Sequence, residues 1–170
     1  LSISNDYITM HILFIVLHTI SGLLAFIYGW ISLHKLENNS LKKLFLTFLI
    51  SLICLDIFMI GAIIVDIPSL SQGQLFTFSG LTLLGLYMLY RGYQAYQVQK
   101  SRRNNWKIPF IEHVGFNLIS LFDGFVIVLA IDLKFPVWGT ITIGILGVII
   151  GISVVNRIKL KTKPGSSGTG

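Results

Sequence analysis

Long apolar runs alternate with short polar breaks along the chain, and five of the runs predict membrane-crossing helices. They extend from Tyr7 to Leu33, Lys43 to Val65, Leu75 to Val98, Ile108 to Ile131 and Pro136 to Asn156. At 1.5 Å of rise per residue, each covers roughly 30 Å of hydrocarbon. Pro68 and Pro136 fall at the ends of runs, where they break no helix hydrogen bonds. The pattern predicts an all-α polytopic membrane helix bundle with five transmembrane helices, a single domain over residues 1–160 followed by a tail, 161–170.

Composition agrees with the pattern. Charged residues make up 12% of the 170 and hydrophobic ones 54%, and the mean hydropathy of +0.79 lies far above that of a soluble domain. The spans use nearly the whole chain, which leaves no length for a soluble catalytic domain. The first run is too long for a cleaved signal peptide and no small-x-small site follows it, so it is read as a retained span. The chain opens on Leu1 rather than Met, and a few native residues are expected before it. The ending from Pro164 to Gly170 reads as a linker or cloning remnant. Cys54, the single cysteine, lies inside the second run as a small buried residue, with no disulfide or Cys-x-x-Cys motif to form.

The net charge of +6 does not point to nucleic acid, because the cations lie between and after the spans. Lys35, Lys42 and Lys43 follow the first run; Lys100, Arg102, Arg103 and Lys107 follow the third, with Arg91 just inside it; Arg157, Lys159, Lys161 and Lys163 follow the fifth. The alternate breaks hold only Lys134, beside Asp66 and Asp132. By the positive-inside rule this predicts a multi-pass plasma-membrane protein with its N-terminus outside and its C-terminus cytoplasmic. Tyr87, Tyr90, Tyr93, Tyr96, Trp30 and Trp106 then form the inner aromatic belt, and Trp138 marks the outer one.

Ionisable residues inside the runs carry the candidate chemistry, since such groups are expensive in a bilayer. His11 and His18 lie in the first run, Asp56 in the second, and Glu112, His113 and Asp123 in the fourth. Counting places His18, Asp56 and Asp123 at one level, roughly 12–16 Å deep, with His11 nearer the outer surface. Helices one, two and four are therefore expected to enclose a pocket of His18, Asp56, Asp123 and His11 for a proton, cation or small polar ligand. The bland alternative is that the carboxylates hydrogen-bond His18 or backbone and only fix helix register. On the fourth run Glu112, Phe116, Ile119 and Asp123 form one stripe, and His113, Asn117, Ser120 and Gly124 the adjoining one. Glu112 and His113 lie near the inner boundary, where they either pair with Arg91, Arg102 or Lys107 or form the inner mouth of a path, with Arg91, leading to Asp123.

No cofactor is predicted outright. A divalent metal would take His18, Asp56 and Asp123 as its candidate ligands. A bis-His haem needs two axial ligands at one depth, and His18 and His113 differ by roughly 12 Å along the membrane normal. Helix packing is assigned to Gly22 and to Gly147 and Gly151 on the fifth run, a small-x-x-x-small face that suits a neighbour in the same chain or a homodimer seam.

The segment Leu17-His18-Thr19-Ile20-Ser21-Gly22-Leu23-Leu24-Ala25 with Gly29, and the close of the third run from Leu86 to Ala95, resemble the uncharacterised bacterial multi-span membrane family domain of unknown function 2306 (DUF2306). The resemblance covers the first three runs and brings no activity with it. It singles out His18 and its glycine and alanine neighbours. Three functional classes compete: a polar-pocket membrane protein; an accessory, assembly, sensor or immunity-type protein acting through helix contacts with another membrane protein; and a haem- or metal-binding redox protein. No soluble-enzyme motif is present, and whether the chain is an enzyme is left open.

Overall fold

A computed structural model describes residues 2–162, with side chains for 9–130, 133–136 and 138–162. The tail from Pro164, Lys163 and the Asp132 side chain lie outside the described residues. The helices are α1 (Ser2–His34), α2 (Leu41–Asp66), α3 (Gln72–Ser101), α4 (Lys107–Asp132) and α5 (Val137–Thr162), with one 3-10 turn, Ile67–Ser69, after α2.

Among the described residues the five expected helices are present, and four of them carry spans of the expected apolar character. Four segments among the described residues are long and apolar enough to cross a membrane: Thr9–His34, Leu41–Ser69, Lys107–Ala130 and Trp138–Thr162. The helix α3 has 30 residues, roughly 45 Å of length. Its apolar pattern is interrupted by Gln72, Gln74, Arg91, Gln94, Gln97, Gln99 and Lys100. Length it has; apolarity is what it lacks.

Local signals set the ends of α3. Ser71 and Gln74 form a capping box: Ser71 Oγ accepts from the Gln74 backbone N–H and Gln74 Oε1 accepts from the Ser71 N–H at 3.0 Å. At the other end Arg102 takes a left-handed conformation, φ 42°, and its N–H bonds Val98 O. The short links that follow force each helix to reverse.

Close approaches at glycines fix the antiparallel registers. Gly22 of α1 meets Leu55 of α2, Gly29 meets Phe48, and Gly61 of α2 meets Phe14. On α3, Gly85 meets Asp56 and Gly92 meets Leu49, both of α2. Along α4 and α5 the steps run in fours: Asp123 against Gly147, Ile119 against Gly151, and Gly115 against Val155. The stripe on α5 is therefore occupied by α4 of the same chain.

Packing is uneven along the bundle. The buried cluster gathers where α1 ends, α2 begins and α4 begins, with Leu33, Leu41, Phe45, Phe48, Phe110, Ile111 and Val114. Phe45 packs edge-on against Phe110 at 5.0 Å between ring centroids, which adds a directional term to area burial. Toward the opposite end the helices separate. Phe76 and Trp138 are 83% and 74% exposed, and Gly73, Gly80, Gly124 and Gly144 have no neighbour within 4 Å of where a Cβ would sit.

Candidate functional site along the α3 seam

The predicted pocket residues make their contacts at different interfaces. His18 Nδ1 lies 3.0 Å from Leu55 O. A carbonyl only accepts, so the bond requires His18 to donate from Nδ1. Asp56 turns toward α3, where a Cβ at Gly85 would fall on its carboxylate. Asp123 turns toward α5, against Gly147. His11 Nδ1 stands 3.1 Å from Asp66 Oδ1, close enough for an ion pair when the imidazole is protonated but without hydrogen-bond alignment. Among the described residues no three His, Cys, Asp or Glu side chains gather closely enough to share a metal, which corrects the reading of His18, Asp56 and Asp123 as a metal set. Rotation about the helix axes sends them to different neighbours.

Glu112 also finds a partner other than those expected. Its carboxylate accepts from Lys159 Nζ at 2.7 Å, because the antiparallel α4–α5 pair brings the end of α5 beside the start of α4. Arg91 reaches the same residue through the backbone, Nη2 donating to Glu112 O at 3.2 Å while the guanidinium lies 5.0 Å from the Phe116 ring centroid. Lys107 is engaged by Glu37. His113 Nδ1 has no partner among the described residues.

Unpartnered buried atoms also occur at His11, Arg91 and Asp123, but the three such residues that are themselves buried, Asp56, Asn117 and Gln99, lie along one face of α3. Its buried residues are Gly85, Met88, Gly92, Ala95 and Gln99, alternating by three and four, the spacing of a packing seam. Opposite Gly85 stands Asp56, 4% exposed, with both carboxylate oxygens buried and unpartnered. Close to Gly92 stands Asn117 of α4, fully buried, with neither end of its amide bonded. Gln99 itself is 6% exposed and its Nε2 has no acceptor. The three levels on α3 are seven residues apart, roughly 10 Å per step. Native proteins pair nearly all such groups, so three along one seam set it apart from the rest of the core.

Sequence reasoning reached Asp56 and named Asn117 only as a member of a stripe. It missed the seam. The available signal was Gly85, Gly92 and Gln99 at intervals of seven, with Met88 and Ala95 between them.

Helices and spans together define a class, an all-α multi-span membrane protein. No family model, curated protein or solved structure matches the chain.

Proposed function

We propose that this is a five-span membrane protein in which α3 crosses alongside the four apolar helices and Asp56 takes up a proton at the α2–α3 seam. The observation that carries it is the Asp56 side chain, 4% exposed with neither carboxylate oxygen partnered. A charge in that position has lost its water and gained no counter-charge, a cost of several kcal/mol. Binding a proton removes the charge. A proton needs only the one carboxylate that stands there, whereas among the described residues no cluster of His, Cys, Asp or Glu forms around Asp56 to share a metal ion, which favours the proton among the ligands weighed above.

The crossing of α3 rests on its length and on its antiparallel packing between α2 and α4. Five crossings put the termini on opposite sides, and the placement of Lys and Arg makes the N-terminus external and the C-terminus cytoplasmic. A place in the bacterial DUF2306 family belongs to the same proposal and rests on Leu17–Ala25 and Leu86–Ala95. A second reading is an accessory protein that contacts another membrane protein. Gly147 and Gly151 of α5 no longer favour it, since α4 covers them; the unpacked first half of α3, with exposed Phe76 and Leu83, does.

A hydrophobic carbodiimide modifies protonated carboxyl groups in apolar surroundings and tests the proton reading directly. Treatment of the detergent-purified protein at neutral pH is expected to give an adduct that peptide mass spectrometry places on Asp56 and that Asp56→Asn abolishes. Labelling that leaves Asp56 unmodified would sink the proposal.

A further inference from the structure

Lys42, Tyr96, Gln99, Lys100 and Arg102 line a pocket of about 240 Å³ between the first turn of α2 and the end of α3. Clefts for organic ligands usually span about 300–1,000 Å³, so this space suits one charged group better than a whole metabolite. Three of its five side chains are cations and none is an acid. The acids that could have balanced them are engaged elsewhere, Glu37 by Lys107 and Glu112 by Lys159. Among the described residues Lys42, Lys100 and Arg102 have no ion pair; Arg102 only rests 5.6 Å from the Trp106 ring centroid.

Two further observations bear on a negative ligand. Gln99 presents a buried donor, Nε2, with no acceptor, and a donor left unmade in the interior is costly. The start of α2 is electrostatically incomplete: its first turn holds no acid, and Ser40 at the N-cap makes no side-chain cap bond. The positive end of that helix, with Lys42 and Lys43 upon it, favours an anion, while the carbonyl end of α3 at the same pocket opposes one; the two helix ends offset, and the charge of Lys42, Lys100 and Arg102 decides the sign of the ligand. Tyr96 adds a hydroxyl that can donate.

We propose that this pocket binds a phosphate-bearing anion, either an anionic phospholipid headgroup or inorganic phosphate, through Lys42, Lys100 and Arg102 with Gln99 as the buried donor. Basic pockets between membrane helices take such headgroups. The site is independent of the proton at Asp56, and either can stand without the other.

The test uses the full chain, delipidated in detergent, with thermal unfolding followed in two arms. One adds phosphatidylglycerol against phosphatidylcholine; the other adds inorganic phosphate against chloride at constant ionic strength. A rise in Tm specific to phosphatidylglycerol identifies the lipid as the source, and a rise specific to phosphate identifies the free anion. In either arm Lys42→Gln, Lys100→Gln and Arg102→Gln are each expected to weaken binding about fivefold. The double change Lys35→Gln with Arg103→Gln, outside the pocket, is expected to leave it intact. Arg102→Gly separates binding from folding, because glycine relieves the positive φ and raises the ligand-free Tm while weakening binding. The proposal is overturned if neither probe stabilises the protein above its control, or if the Lys35/Arg103 pair matters as much as the pocket cations.

Discussion

Asp56 and Gly85 form a matched pair: the carboxylate occupies the space that any other residue at 85 would fill with its Cβ. Gly85→Ala is therefore expected to destabilise the protein by about 1–3 kcal/mol through overpacking, seen as a lower Tm in detergent. Asp56→Ala in the same chain removes the clash, so the double mutant should recover a coupling of about 1 kcal/mol or more. A penalty from Gly85→Ala that is undiminished in the Asp56→Ala background would mean that the carboxylate is not what limits the space. Glu37, outside the apolar runs, behaves differently. The hydrogen bond and charge of Lys107 hold its carboxyl below the ordinary 4.5. A lowered folded value adds stability at pH above the unfolded value, and that stability disappears as pH falls through the folded value. The side chain is 84% exposed, so Glu37→Gln is expected to lower stability only slightly, with the difference from wild type present above about pH 4.5 and vanishing as pH falls below it.

Among elements, the α4–α5 pair gives the sharpest contrast. A Cβ at Gly151 would lie 2.5 Å from Ile119, and one at Gly115 would lie 2.6 Å from Val155, whereas Gly124 and Gly144 on the same helices face open space. Gly115→Ala and Gly151→Ala should each lower stability by about 1–3 kcal/mol, while Gly124→Ala and Gly144→Ala should be neutral or mildly stabilising. Equal effects at all four positions, read by thermal unfolding, would contradict the seam. The helices themselves were legible: apolar runs mark them all, and α5 extends beyond Asn156 because Arg157, Lys159 and Lys161 tolerate a helix in water as well as a loop. What could not be read was rotation. The second run is apolar on every side, so periodicity gave Asp56 a depth but no direction, and the expectation of a pocket between helices one, two and four left out α3, the helix its carboxylate meets. Glu112 was misassigned for a related reason, since its pairing with Lys159 depends on the register of two helices rather than on nearness in sequence.

Across the whole molecule, the tightly packed end coincides with the basic connections, and the helices part toward the other end. Stability is expected to follow the same gradient, with amide hydrogen exchange slowest around Phe45, Phe110 and Val114 and fastest in the first half of α3. The α3 seam joins the two regions, running from Gln99 at the basic end through Asn117 to Asp56. A proton held at Asp56 unites the lack of partners there, the glycine that admits the carboxylate, and the polar character of the helix beside it. Infrared spectroscopy of the reconstituted protein in D₂O at neutral pH measures that proton most directly. The wild-type protein is predicted to show the carbonyl stretch of a protonated carboxylic acid, and Asp56→Asn to lose it. A wild-type spectrum without that band, or a band that persists unchanged in Asp56→Asn, would contradict a proton at Asp56.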